Sequence, residues 1–270
     1  MDDKRITIEQ QRQIQLDILR NIDLFCKDNS INYSLAFGTL IGAVRHQGYI
    51  PWDDDIDIMM TRENYEKFRS LYKSSDYPLV DLKNDNTHPV PMGKVYDSNT
   101  YFYYRKKIKR KYGLFIDVFP FDLVPEKGDE RKLWLKSIKK YISYNSYKNN
   151  TFSYILSLSS LKEKVRASII KIFSNRSAIH MKLEELYTKY QYNESNFLSV
   201  PAVMVMTKEN QSKLFPKNLF DQYTSIEFEG IQFQCIKDYD TFLKIYYGNY
   251  MELPPVEQQV GKHEIVAYYK

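Results

Sequence analysis

The sequence predicts an α/β (α+β) fold in which a mixed β-sheet carries helices and is interrupted by a helical insertion. Three observations lead to this prediction. Apolar residues recur at helical spacing near the start of the chain, short alternating apolar runs with Asp residues follow, and residues 126–195 interleave basic and aliphatic residues. We therefore predict a core over 1–125, a basic helical insertion over 126–195 and a C-terminal part over 196–270 that completes the core.

Four patterns predict helices outside the insertion. Thr7 and Gln10 match a capping box, which indicates that a helix opens here and runs to about Asp28. The other three helices are expected over residues 40–46 with Gly48 as the stop, over about 63–72 with Tyr65, Phe68 and Leu71 facing inward, and from an Asp238 cap to Gly248.

Short runs of alternating or β-branched residues predict the strands. They are expected over 31–37, over 55–58, in several pieces between 77 and 104, over 113–120, and in a hairpin over 225–235. A turn at Gly38–Thr39 is expected to follow the first strand. In the insertion, two or three basic amphipathic helices are predicted. Their cationic face is either simply solvated or suited to a polyanionic or lipid-linked acceptor at a membrane surface.

The composition describes a soluble globular protein with a mild positive charge. The chain has 270 residues, a net charge of +5 and 24 Tyr. Its two cysteines, Cys26 and Cys235, lie in apolar segments and are expected to be buried, reduced thiols. No apolar run approaches the roughly 20 residues that a membrane span needs. The expected location is the cytoplasm, with contact to the inner face of the membrane as an open alternative. No nucleic-acid partner is expected.

The Asp residues at 53–57 are the first candidate site. On a strand, Asp55 and Asp57 point to one face while Ile56 points to the other, and Asp53 joins them if the strand begins early. Carboxylates held this close repel each other, and a divalent cation relieves the repulsion. Oxygen ligands of this kind suit Mg²⁺ or Mn²⁺. The alternative is a solvated acidic turn at the surface.

A second acidic position lies in the apolar run over residues 113–120. Asp117 is the one charged residue of this run, and a buried charge needs a compensating partner. A third metal carboxylate and a hydrogen-bonded core Asp are the two interpretations. We favour the metal carboxylate.

Residues 38–46 (GTLIGAVRH) and 48–57 (GYIPWDDDID) closely resemble the LicD family of phosphotransferases. This family includes bacterial phosphocholine transferases and, more distantly, fukutin-type ribitol-phosphate transferases. The same run resembles the broader nucleotidyltransferase pattern of a Gly-Thr pair followed by Asp-x-Asp, and both patterns place a third acid at Asp117. Residues 90–97 and the closing segment from Tyr246 to His263 also resemble the family. The spacing leaves open which pair of Asp residues holds the metal.

The resemblance implies a nucleotidyltransferase-like fold and transfer of phosphocholine from CDP-choline to a sugar hydroxyl. The acceptor would be a glycan or a lipid-linked oligosaccharide, a precursor of teichoic acid, capsule or lipooligosaccharide. Transfer of glycerol phosphate or ribitol phosphate from a CDP-polyol is the first alternative. Nucleotidyl transfer that releases pyrophosphate is the second, and a regulatory nucleotide-binding module is a non-enzymatic third.

The resemblance also suggests residue roles. Asp55, Asp57 and Asp117 would hold one or two Mg²⁺ or Mn²⁺ ions, and Asp117 would accept the proton of the acceptor hydroxyl. The remaining candidates would bind substrate: Gly38 and Thr39 beside the phosphates, Arg45, His46 and Lys94 as charge partners, and Asp53, Trp52 and His263. Arg45, His46 and Lys94 could equally be surface cations, Trp52 a core residue and His263 a structural one.

Overall fold

The computed structural model describes residues 5–88, 90–104, 108–109, 112–126, 128–191, 195–261 and 265–270. The chain forms two compact units. The first unit contains residues 1–79, 94–120 and 217–270, and the second contains 80–93 and 121–216. The division of the chain at residues 125 and 195 stays a prediction.

Nine α-helices lie within the described residues. They are α1 (Ile8–Asp28), α2 (Phe37–His46), α3 (Arg62–Leu71), α4 (Asp129–Asn149), α5 (Phe152–Ser157), α6 (Leu161–Phe173), α7 (Arg176–Thr188), α8 (Pro201–Met204) and α9 (Tyr239–Tyr247).

Twelve strands lie within the same residues. They are β1 (Ser34–Leu35), β2 (Asp57–Thr61), β3 (Leu79–Val80), β4 (Gly93–Tyr96), β5 (Thr100–Tyr104), β6 (Ile108–Lys109), β7 (Phe115–Leu123), β8 (Phe197–Ser199), β9 (Phe215–Pro216), β10 (Tyr223–Phe228), β11 (Ile231–Ile236) and β12 (Ile265–Tyr269).

The main sheet has the strand order β1-β2-β7-β4-β3. β1 and β2 are antiparallel, with Ser34 opposite Met59. β7 continues past residue 120 into the second unit, where its end pairs with β8 and β8 pairs with β9. This order places three elements of the candidate site side by side, because β2 begins at Asp57, β7 carries Asp117 and β4 carries Lys94.

The first unit also holds two smaller β-structures. β12, β5 and β6 form a three-stranded antiparallel sheet, and β10 and β11 form the predicted hairpin, with Phe228 opposite Ile231. Glu229 and Gly230 turn this hairpin with positive φ angles of 52° and 72°. The hairpin prediction is therefore confirmed.

α1 packs its apolar stripe into the first unit. Thr7 and Gln10 form the predicted capping box, with the Gln10 amide N–H donating to the Thr7 hydroxyl at 3.2 Å. Ile18, Leu19 and Ile22 are fully buried along the inner face of this helix. The predicted α+β class is confirmed, since helices such as this one pack beside a mixed sheet.

Several predicted boundaries were wrong. The first strand contains only residues 34–35, α2 already begins at Phe37, and the acidic strand begins at Asp57 rather than at Asp55. The end of α2 at His46 agrees with the prediction; Gln47 is the C-cap with a left-handed φ of 57°, and the Gly48 N–H donates to the Gly42 carbonyl at 3.3 Å. Leu71 points outward at 47% exposure, because the helical period turns Tyr65 and Phe68 inward instead.

The second unit is mostly helical. Four helices (α4 to α7) lie in the described part of residues 126–195, where two or three were predicted, and α8 follows in the same unit. Trp134 anchors α4 to α7 by donating its indole N–H to the Leu186 carbonyl at 2.8 Å. A small apolar cluster of Tyr147, Ile155 and Ala167 joins α4, α5 and α6.

None of the helices in the described residues is both long and apolar enough to cross a membrane. Cys26 and Cys235 are buried free thiols, as predicted.

Candidate active site

The turn at the start of α2 is shaped by an unusual backbone conformation. Phe37 has a φ of 46°, which a residue with a side chain seldom adopts. Its ring is held in place edge-on against Phe119, with the ring centroids 5.0 Å apart. The next residue, Gly38, lies so close to the acidic loop that a Cβ there would be 2.5 Å from the Asp53 carboxylate Oδ2. Glycine at position 38 therefore leaves the room that the Asp53 carboxylate occupies.

Thr39 connects this turn to the acidic strand. Its hydroxyl is buried and accepts a hydrogen bond from the Asp57 backbone N–H at 2.9 Å. The Asp57 carbonyl in turn accepts from the Ala36 N–H at 2.9 Å. These two bonds fix the first residue of β2 against the Gly38–Thr39 turn.

The carboxylates gather in the loop before β2. Asp53, Asp54 and Asp55 each offer an oxygen, and these oxygens lie within 4.8 Å of one another. All three side chains are half-buried, so they face a partly solvent-accessible space. An oxygen-only donor set of this kind fits a hard cation such as Mg²⁺ or Mn²⁺.

The carboxyl group of Asp57 is influenced by the charges of its neighbours. Burial raises the pKa of its carboxyl well above the usual range, and the charges of Asp55, Asp117 and Asp53 raise this pKa further, while Lys94 lowers it. The structure therefore brings the three predicted metal carboxylates into one electrostatic neighbourhood. The assignment of Asp55, Asp57 and Asp117 as the ligands stays a prediction.

Asp117 has a cationic partner. The Lys94 ammonium lies 2.5 Å from Asp117 Oδ1, and both side chains are mostly buried, at 13% and 16% exposure. The same ammonium lies 3.5 Å from the ring centroid of Phe115, a favourable cation–π position. The Asp117 backbone N–H donates to the Ile56 carbonyl at 3.0 Å and so ties β7 to the acidic loop.

Sequence reasoning missed the residues of α1 that hold the acidic loop. Arg12 donates to the carbonyls of Ile50, Pro51 and Asp53, at 2.7 Å in the last case. Gln11 and Gln15 both donate to the Asp54 carbonyl, at 2.8 and 3.1 Å. The sequence pattern that could have predicted this contact is the spacing of Gln11 and Gln15. Residues four positions apart lie on the same face of a helix.

Arg45 is held by the chain itself. Its guanidinium donates to the carbonyls of Tyr250 at 2.6 Å and Glu252 at 3.3 Å, and its Nε donates to His46 Nε2 at 2.9 Å. Burial and the neighbouring Arg45 charge lower the pKa of His46 below 6.5. Through these contacts Arg45 connects α2 to the backbone near Tyr250. Phosphate binding by Arg45 or His46 stays a prediction.

Trp52 is half-buried and lies edge-on to His46, with 6.4 Å between ring centroids. It is therefore not a fully buried core residue, and its stacking on a base stays a prediction. His263 lies outside the described residues.

The fold and the site together define a class of protein. The backbone turn lies beside carboxylates that come from one loop (Asp53 to Asp55) and from the adjacent strands β2 and β7. This arrangement, with the mostly buried Lys94 beside it, defines a protein suited to hold phosphate groups and a cation together.

Comparisons with known proteins identify the family. The family model described as "LicD/FKTN/FKRP, nucleotidyltransferase domain" matches residues 30–151. The chain is 31% identical over 275 residues to the lipopolysaccharide cholinephosphotransferase LicD of Haemophilus influenzae, covering 98% of this chain and 99% of that protein. An uncharacterized protein of Rickettsia typhi is 28% identical over 139 residues, 51% of this chain and 42% of that protein. The chain belongs to the LicD family, which confirms the resemblance seen in the sequence.

Proposed function

We propose that this LicD-family phosphotransferase moves phosphocholine from CDP-choline to a sugar hydroxyl of a cell-surface glycan precursor, with Mg²⁺ or Mn²⁺ as cofactor. The match that covers nearly the whole chain supports the reaction type, because that relative is named a lipopolysaccharide cholinephosphotransferase. The same name supports a glycan acceptor. The CDP-linked donor and the metal rest on the chemistry of the site.

The observation that carries the proposal is the cluster of Asp53, Asp54 and Asp55 beside the Gly38 turn. The charges of the neighbouring carboxylates raise the pKa of Asp57, which means that the ionised cluster is unfavourable by itself. A bound cation would stabilise the ionised carboxylates. A diphosphate donor cannot approach such a cluster without a cation, because like charges repel. The carboxylate oxygens are the ligands that hard divalent cations prefer. A metal-bound diphosphate therefore fits the site better than a free diphosphate anion does.

When bound, the metal would neutralise the diphosphate and stabilise the charge that develops on the leaving group. The side chains of Asp55, Asp57 and Asp117 would hold it, and Asp53 and Asp54, whose carboxylate oxygens cluster with that of Asp55, are further candidate ligands. Thr39 keeps Asp57 in place through the bond from the Asp57 N–H. Gly38 leaves room for the Asp53 carboxylate.

The remaining roles belong to the pair on β4 and β7. Asp117 reaches the site from a strand separate from the acidic loop, and it would accept the proton of the attacking hydroxyl. Lys94 holds Asp117 Oδ1 at 2.5 Å and would orient this carboxylate. When a phosphate is bound, the Lys94 ammonium would also contribute positive charge to it.

A donor panel tests the proposal. The full chain is incubated with Mg²⁺, an oligosaccharide acceptor and, in turn, CDP-choline, CDP-glycerol or CDP-ribitol, and the released CMP is measured. CDP-choline is expected to give the highest kcat/KM. A higher value for either CDP-polyol would change the assigned donor, and no CMP from any of the three would contradict the CDP-linked donor.

The family description mentions a nucleotidyltransferase domain, and this supports nucleotidyl transfer as a second candidate. Because the same carboxylates can stabilise charge on either side of a diphosphate, the site does not separate the two reactions. They differ in the product that leaves, which is CMP in one case and pyrophosphate in the other.

A further inference from the structure

α6 uses only one side for packing inside the second unit. Ala167 is fully buried in the cluster with Tyr147 and Ile155. The Tyr147 hydroxyl donates to Glu163 at 2.8 Å, and Lys171 donates to the Asn150 carbonyl at 2.5 Å. The inner face of this helix is therefore accounted for by its own neighbours.

The opposite side of α6 exposes a row of large apolar side chains. We call this row the α6 stripe; it consists of Leu161 (76% exposed), Val165 (52%), Ile169 (51%), Ile172 (59%) and Phe173 (79%). Most of these residues are three or four positions apart, so they form one continuous strip along the helix. The outer face of a surface helix is ordinarily polar, and a contiguous apolar strip there marks an interaction site.

Phe152 and Leu156 of α5 are also exposed, at 50% and 65%. Two helices that are adjacent in the chain therefore both expose large apolar side chains. Such a group is more than the single scattered apolar residue that is common on protein surfaces.

Basic residues accompany the stripe. Lys162 and Arg166 are exposed on the same helix, next to the apolar row. Residues 129–189 contain 13 Lys and Arg against 5 Asp and Glu, a net charge of +8, while the whole chain has +5. The positive charge of the protein is thus concentrated in the helical segment from α4 to α7, to which α6 belongs, and the rest of the chain is net acidic.

We propose that the α6 stripe docks on an anionic lipid bilayer, with α6 lying in the membrane–water interface. A helix with an exposed apolar row next to Lys and Arg is the pattern of interfacial membrane helices, where the apolar groups enter the headgroup region and the basic groups contact anionic lipid. A second copy of the chain is a poorer occupant. A symmetric contact through the stripe would bring together two copies of the same strongly basic segment, and like charges oppose this. The inference does not depend on which donor the enzyme uses.

Vesicle flotation of the full chain tests the proposal. Wild type should float with vesicles of phosphatidylethanolamine and phosphatidylglycerol and should bind vesicles of phosphatidylcholine alone on the order of tenfold more weakly. The double variant Val165→Ser/Ile169→Ser should lose at least about tenfold in partitioning. Lys162→Gln/Arg166→Gln should lose about tenfold on the anionic vesicles and little on the neutral ones.

Matched controls keep the readout specific. Leu24→Ser/Val256→Ser removes two exposed apolar side chains elsewhere, and Lys208→Gln/Lys217→Gln removes two exposed charges elsewhere. Both controls should float like wild type. A second measurement uses Ile169→Cys carrying an environment-sensitive dye, since Cys26 and Cys235 are buried. Its emission should shift to the blue when anionic vesicles are added.

Equal flotation of wild type and the stripe variant, or an unshifted dye, would overturn the proposal. A concentration-dependent dimer that the stripe variant dissolves, with vesicle binding unchanged, would overturn it in favour of a second copy.

Discussion

The Lys94 ammonium and the Asp117 carboxylate form a mostly buried ion pair, 2.5 Å from Nζ to Oδ1, that joins the neighbouring strands β4 and β7. The Phe115 ring and the Asp117 carboxylate both contact the ammonium. This pair places one cation among the carboxylates of the site, and Lys94 lowers the pKa of Asp57. Removal of the Lys94 charge should therefore change both the affinity for the metal and the binding of the phosphate donor.

Lys94→Gln removes that cation while keeping a polar side chain. Turnover should fall on the order of a hundredfold and the KM for the donor should rise, because a charged contact to phosphate is lost. The Mg²⁺ concentration for half-maximal activity should decrease, because the carboxylates attract a cation more strongly without the competing ammonium. Steady-state kinetics over a Mg²⁺ series measures all three. Lys208→Gln serves as the control, and a higher Mg²⁺ requirement in Lys94→Gln would contradict this account of the pair.

Gly38→Ala and Gly42→Ala form a matched pair that separates site geometry from stability. The Cβ of Gly38→Ala would meet the movable Asp53 carboxylate at 2.5 Å, whereas that of Gly42→Ala would meet the Gly48 backbone carbonyl at 2.4 Å. Gly38→Ala should keep its melting temperature and lose Mg²⁺ affinity. Gly42→Ala should lose about 1–3 kcal/mol of unfolding free energy. Thermal unfolding and Mg²⁺ titration check this, and equal destabilisation by the two variants would speak against it.

Asp57→Asn should separate activity from stability. Burial and the neighbouring carboxylates raise the pKa of Asp57, so the ionised side chain destabilises the metal-free fold. In EDTA the variant should melt at a higher temperature than wild type. With Mg²⁺, wild type should gain stability while the variant gains little, and activity should drop on the order of a thousandfold. Full activity of the variant, or of wild type in excess EDTA, would rule out the metal site.

We expect His180 to make the stability of the second unit depend on pH. It is buried, with Nδ1 3.1 Å from the Leu82 carbonyl and Nε2 2.9 Å from the Asn145 side-chain oxygen. Burial lowers its pKa below the usual 6.5, although the Leu82 contact partly opposes this. Because the unfolded chain binds the proton more readily, the stability that neutral His180 supports is present above about pH 6.5 and is lost as the pH falls toward the lowered folded-state pKa.

His180→Gln tests this dependence. The difference in unfolding free energy between wild type and the variant should shrink between about pH 7.5 and about pH 5.5, as wild type alone loses this contribution. Urea denaturation at both pH values measures the difference. A difference that stays constant between the two pH values would contradict this expected contribution of His180.

Local patterns in the sequence predicted much of this fold. The capping box of Thr7, the hairpin at Glu229 and the helix ending at Gly248 were all confirmed, because each depends on residues within a few positions. Asp117 was also correctly placed on a strand, since an apolar run with β-branched residues is a local signal.

The missed features depend on contacts distant in sequence. Residues 53–55 form a loop rather than a strand, and Arg12 holds this loop from about 40 positions away, with its bond to the Asp53 carbonyl at 2.7 Å. Likewise Gly48, which follows the Gln47 cap of α2, has a second role that was not predicted. It gives room to Glu229, whose carboxylate would lie 2.2 Å from a Cβ at that position. No window of local sequence contains either relationship.

The identity of the leaving group tests the central claim most directly. The full chain is incubated with CDP-choline, Mg²⁺ and a sugar acceptor, and CMP and phosphodiester are quantified together. A parallel reaction contains CTP and a phosphorylated acceptor and is assayed for pyrophosphate. Phosphocholine transfer predicts CMP and phosphodiester in equal amounts, and no pyrophosphate. Pyrophosphate from the parallel reaction, with no CMP from CDP-choline, would contradict this claim and establish nucleotidyl transfer instead.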